Sequence, residues 1–120
     1  MKNYYSHAIF YVSARNQKTD IPVWEDIMLI RARSAPEARR KALAAAKKHA
    51  EVNRDMFLDG QKARLIFAGI RKIISYEEFL GSWYKEKSGD EITSSRYSAK
   101  SMKDVKALAR GKAVEVVYED

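Results

Sequence analysis

The side chains able to carry acid–base or metal chemistry are few and scattered along this 120-residue chain. There are two histidines, His7 and His49, and no cysteine. Lack of cysteine excludes disulfides, thiolate metal sites and cysteine nucleophiles. Neither H-x-x-x-H nor H-E-x-x-H occurs, and there is no Asp-rich calcium loop. The glycines form no G-x-x-x-x-G-K or G-x-G-x-x-G phosphate turn, and no serine sits in a G-x-S-x-G elbow. Glu25 and Asp26 are adjacent in "WEDI", but neighbours on a strand project to opposite faces and share a metal poorly. His7 falls in a strand-like stretch, which predicts a half-buried sheet residue. His49 falls on the inner arc of a helix, which predicts an interior histidine hydrogen-bonded to a neighbour. The expectation is a protein without catalytic residues, metal or cofactor.

Charge is the stronger signal. Lys and Arg number 23 against 16 Asp and Glu, for a net charge of +7. That predicts attraction to polyanions: nucleic acid, an anionic lipid surface or an acidic protein. From Arg31 to Lys48 there are seven basic residues and one acid, Glu37. Arg40, Lys47 and Lys48 point one way on a helix and can meet a phosphate together, with the stripe continuing back to Arg31 on the preceding strand. The alternative is a solvated helix back, since Lys and Arg are good helix formers. Arg39 leans toward the margin of the inner arc, past Leu43. A second candidate surface is the sheet face carrying Tyr5, His7, Ile9 and Tyr11, with Glu25, Ile27, Leu29, Arg31, Arg64, Ile66 and Lys72 on neighbouring strands. Aromatic platforms with a basic fringe stack single-stranded nucleic acid, and they also bind proteins. Coverage by a second helix or by a second copy of the chain is the competing expectation.

The elements that must position these residues follow from periodicity. "YYSHAIFYVS" (4–13) and "VWEDIMLIRAR" (23–33) read as strands joined by a polar link, an antiparallel hairpin. "SAPEARRKALAAAKKHA" (34–50) reads as a helix. Ser34 is its cap, Glu37 completes a capping box, and Pro36 lies in the first turn. Ala35, Ala38, Ala42, Ala45, Ala46 and His49 share one arc, and an alanine stripe lets a helix sit close on a sheet. Residues 53–61 read as a connection with a turn at Asp59-Gly60, and 62–76 as a third strand bent at Gly69. A helical turn is expected at 77–80 and a short strand at 92–97. Ser101 then caps a second helix that stops at Gly111, and 112–119 reads as a last strand. The order β-β-α-β-(β)-α-β predicts an α+β fold, an antiparallel sheet with the alanine-rich helix on one face. Length and composition suit one domain spanning 1–120.

Several of these segments together resemble a bacterial family, domain of unknown function 4288. The resemblance rests on "YYSHAIFYV", on Asp26 leading into "MLIRA", on "SAPEARRKA", on "FAG" at 67–69 and on "GDEI". It covers roughly residues 4–97. The basic charge and the helix-and-strand extension at 98–120 depart from the pattern. What the resemblance implies is a small α+β bacterial domain with no assigned catalytic site.

The N-terminus lacks the apolar core of a signal peptide, and no run approaches the roughly 18 apolar residues of a membrane helix. The expectation is a cytoplasmic protein that acts by binding, with an acidic protein as partner. Its concrete form is an immunity-type neutraliser of a bacterial toxin. The alternative is nucleic-acid binding through helix 34–50 and the aromatic sheet face. The candidate binding residues are Arg40, Lys47, Lys48, Arg31, Tyr5, His7 and Tyr11. Self-association is a further expectation.

Overall fold

The aromatic and β-branched stretches at the start of the chain form two long antiparallel strands, β1 (Lys2–Ala14) and β2 (Ile21–Ala32). The structure is a computed structural model and describes residues 1–17, 20–53, 55–76 and 91–118. After β2 come helix α1 (Ala35–Val52) and strands β3 (Met56–Leu58), β4 (Gln61–Tyr76) and β5 (Glu91–Ala99). Helix α2 (Met102–Ala109) and strand β6 (Val117–Tyr118) complete the described chain. All strand pairs are antiparallel, in the order β3-β4-β1-β2-β5-β6. The α+β class expected from periodicity is the observed one. Among the described residues, no helix is long and apolar enough to cross a membrane.

Strand alternation divides the core into two layers. Tyr4, Ala8, Phe10 and Val12 of β1, with Met28, Ile30 and Ala32 of β2, lie on the face covered by α1. Ala38, Ala42 and Ala46 of α1 press onto them and are essentially inaccessible. The alanine stripe therefore meets the sheet, as its arc predicted. Ser34 Oγ accepts the Glu37 amide at 3.3 Å, which satisfies one of the free amides of the first turn. The second layer lies on the other face. There Ile9, Val23, Tyr97 and Ala99 pack against Val105, Leu108 and Ala109 of α2. Ser101 caps α2 by accepting the Asp104 amide at 3.2 Å.

Three expectations need correction. The connection at 53–61 contains a strand, β3, folded back on β4 through Asp59 and Gly60. Both turn residues have positive φ, 51° and 80°, the signature of a tight hairpin. The short strand expected at 92–97 is longer, Glu91–Ala99. The last strand, expected over 112–119, is reduced to Val117–Tyr118. Its approach cannot be a strand, because the chain runs across the sheet there. Lys112 is held over β4 by Arg71, whereas Tyr118 pairs with Tyr97 of β5. Val114 and Val116 pack onto the second core layer on the way. The helical turn expected at 77–80 lies outside the described residues.

Strand β4 is irregular where it faces β1. Ile9 pairs with Gly69 and Phe10 with Phe67, which leaves Ala68 extra; His7 pairs with Lys72 and Ala8 with Ile70, which leaves Arg71 extra. Such bulges re-aim side chains. A Cβ at Gly69 would lie 3.2 Å from Cβ of Ala109, so the glycine allows the last turn of α2 to rest on β4.

Candidate functional site

The seven candidate binding residues separate into two sets. Arg40, Lys47 and Lys48 are exposed on the outer face of α1. Tyr5, His7 and Tyr11 are half-buried on the opposite side of the sheet. Arg31 goes with the second set, because its neighbours Ile30 and Ala32 belong to the α1 layer. The basic stripe therefore does not continue from α1 onto β2. What links the two elements is Lys41, whose Nζ donates to the Arg31 carbonyl at 2.8 Å and pairs with Glu37 at 3.2 Å.

On the outer face of α1, Arg39, Arg40 and Lys47 border a groove of about 540 Å³ whose remaining lining is Pro36, Leu43 and Ala44. A second groove of about 520 Å³ shares Pro36 and Arg39 and runs on to Tyr4, Ile73 and Ser75 beside the sheet. None of these three cations forms an ion pair among the described residues. An apolar centre with a cationic border has the anatomy of a protein-binding surface. A surface built only for phosphates needs no such centre.

The second face holds a polar cluster centred on Glu25. His7 Nδ1 donates to Glu25 Oε2 at 2.9 Å, and the Tyr97 hydroxyl donates to Glu25 Oε1 at 2.8 Å. Burial pushes the Glu25 carboxyl up, but these two hydrogen bonds and the nearby charges of His7 and Arg71 outweigh it. The net pKa lies below the ordinary carboxylate value. Burial raises the Tyr97 phenol far above its usual value, and the Glu25 carboxylate adds to the effect.

Arg71, the bulged residue, uses Nη1 to donate to two carbonyls, Leu108 at 2.7 Å and Lys112 at 2.9 Å. The Leu108 carbonyl also accepts the Gly111 amide at 3.0 Å, so the guanidinium adds a charge-assisted bond at the helix C-terminus and complements the helix dipole. Both Glu25 oxygens are engaged and Arg71 is committed to the backbone. The cluster thus clamps α2 and the following segment onto the sheet. Sequence reading placed Glu25 on this face but did not find Tyr97 or Arg71. Arg71 is placed by β4 register, which the two bulges hide, and Tyr97 by the pairing of β5 with β2, which no local spacing signals.

His49 and Asp26 form the corresponding contact on the α1 side. Asp26 is 1% exposed, and its Oδ2 lies 2.9 Å from His49 Nε2, although the ring N–H is not aligned on that oxygen. The His49 ring also tilts against Phe10, centroids 5.1 Å apart. This histidine sits between helix and sheet on the expected arc, but it is part-exposed and its Nε2 makes an ionic contact where a hydrogen bond to a neighbour was expected. Glu25 and Asp26 do face opposite layers. In comparison with known proteins, no family model, no curated protein and no solved structure matches this chain.

Proposed function

We propose that the protein is a non-enzymatic binding module that docks an acidic protein on the outer face of α1. A neutraliser of a bacterial toxin is the most concrete form of that partner relationship, and the cytoplasm is the setting that suits a chain without cysteine. One observation carries the reading: Arg39, Arg40 and Lys47 form no ion pair among the described residues and stand around the apolar groove of Pro36, Leu43 and Ala44. Carboxylates at the border of a partner would meet these cations while its apolar residues fill the groove. Charge at the border chiefly sets the rate and specificity of association.

Nucleic-acid binding through helix and aromatic face together has less support. The two surfaces lie on opposite sides of the sheet, and α2 buries Ile9 in the middle of the aromatic face. The test is affinity capture from the native host with the purified chain and with the Arg40→Glu, Lys47→Glu double variant. The expected result is one stoichiometric acidic protein, released as ionic strength rises from ~0.05 to ~0.5 M and absent with the variant. Both substituted residues are exposed, so the melting temperature should be unchanged. Equal capture by the double variant would overturn the assignment of α1. A salt-sensitive gel shift with DNA or RNA, abolished by the same variant, would replace the partner class.

A further inference from the structure

A cleft of about 620 Å³ lies where β1 ends beside the β3–β4 hairpin, lined by residues of β1, β3 and β4 and of their flanking turns. Its walls carry Arg15, Lys62 and Arg64, with Asp55 the one carboxylate among the described lining residues. Beside them is Phe57, 72% exposed on the short edge strand β3. We infer that this cleft binds a nucleotide unit, with the phosphates on the cations and the base stacked on Phe57.

Three features support the inference. First, the cations are gathered by register. Ser13 pairs with Arg64 and Phe57 with Lys62, so Arg64 and Lys62 project from the same face of β4, and Arg15 follows two residues after Ser13. Like charges placed together on a sheet are destabilising unless something neutralises them. None of the three has an ion pair among the described residues, and a polyphosphate would supply the missing charge.

Second, Phe57 presents a large ring to water on an edge strand, where such exposure costs solubility. A nucleobase is a flat partner that removes the ring from water, and stacking of this kind tolerates every base.

Third, the cleft is held in shape. Gln61 exchanges two hydrogen bonds with the backbone of Asn16, 3.3 Å and 3.2 Å, tying the end of β1 to the β3–β4 turn. Gln17 Nε2 donates to the Val12 carbonyl at 3.2 Å and folds that end back on β1. The volume suits a small molecule. The same chemistry is offered by a free nucleotide and by one residue of a single strand.

Calorimetric titration with ATP, inorganic tripolyphosphate, adenosine and an eight-residue oligoadenylate, without added divalent ions, tests the inference. ATP should bind more tightly than tripolyphosphate, and adenosine alone weakly. Phe57→Ala should weaken ATP about tenfold while leaving tripolyphosphate unchanged, and Arg64→Ala should weaken both. Amide shifts in heteronuclear NMR should concentrate at 13–15, 55–57 and 62–64. Tighter binding of oligoadenylate than of ATP assigns the site to single strands; the reverse order assigns it to free nucleotides. Equal affinity for ATP and tripolyphosphate, an unaffected Phe57→Ala variant, or no binding at low salt would overturn the proposal. So would loss of ATP binding in the Arg40→Glu, Lys47→Glu variant, which changes α1 alone.

Discussion

Both carboxylate oxygens of Glu25 accept hydrogen bonds, one from His7 and one from Tyr97. Each donor is itself half-buried or buried, so the carboxylate stabilises the fold only while ionised. Its folded pKa lies below the ordinary value of 4.5. Its contribution is therefore complete above that value and is lost as pH falls through the lower, folded one. Denaturant unfolding at a series of pH values should show stability falling on the acid side of about 4.5. Glu25→Gln should flatten that part of the profile and lower stability near pH 7 by about 1–3 kcal/mol. A variant with the wild-type acid limb would show that Glu25 is not the group responsible. His7 illustrates how a lone histidine is read. Its half-buried place on a strand was legible from alternation, whereas its hydrogen bond to a residue 18 positions away was not.

Helix α1 shows how composition sets the distance between layers. Alanines at 38, 42 and 46 bring the helix backbone close to the sheet, where a longer side chain has no room. Ala42→Leu should destabilise by about 1–3 kcal/mol through overpacking. Ala44→Leu, on the exposed face of the same helix, should stay within about 0.5 kcal/mol of wild type. Equal effects of the two substitutions, measured by urea unfolding, would contradict the packing described. Helix α2 packs through Val105, Leu108 and Ala109, and its C-terminal end is also held by one side chain from a distant strand. Removing the guanidinium in Arg71→Met leaves the Leu108 and Lys112 carbonyls without that donor. The expected cost is about 1.5–3 kcal/mol, with faster hydrogen exchange at 105–111 than in α1. Uniform acceleration over both helices would argue against a local clamp.

At the scale of the molecule, a sheet covered on both faces leaves the outer face of α1 and the β3–β4 end as open basic surface. A net charge of +7 repels itself in the folded state more than in the expanded one. Melting temperature should therefore rise as salt goes from ~10 mM to ~300 mM, where the screening length shrinks below the spacing of these charges. A melting temperature that falls with salt would mean that attractive pairs dominate. The two basic surfaces share no lining residue, which is what makes their separate binding tests informative.

Periodicity and caps were enough for the α+β class, for both helices with Ser34 and Ser101 at their starts, and for which side of α1 meets the strands. These are local properties: a residue's place on an arc or in an alternation is set by neighbours a few positions away. Tertiary structure decided the rest. The bulges at Ala68 and Arg71 shift β4 past β1, so no spacing in the sequence brings Arg71 to the end of α2. The path of 112–116 across the strands depends on where α2 comes to rest, and alternating valines alone suggested a strand. The basic residues were all visible in the chain. Their division between opposite faces, with Arg31 parted from Arg40 and the cleft of Arg15, Lys62 and Arg64 assembled from separate segments, follows from strand pairing over long sequence distances.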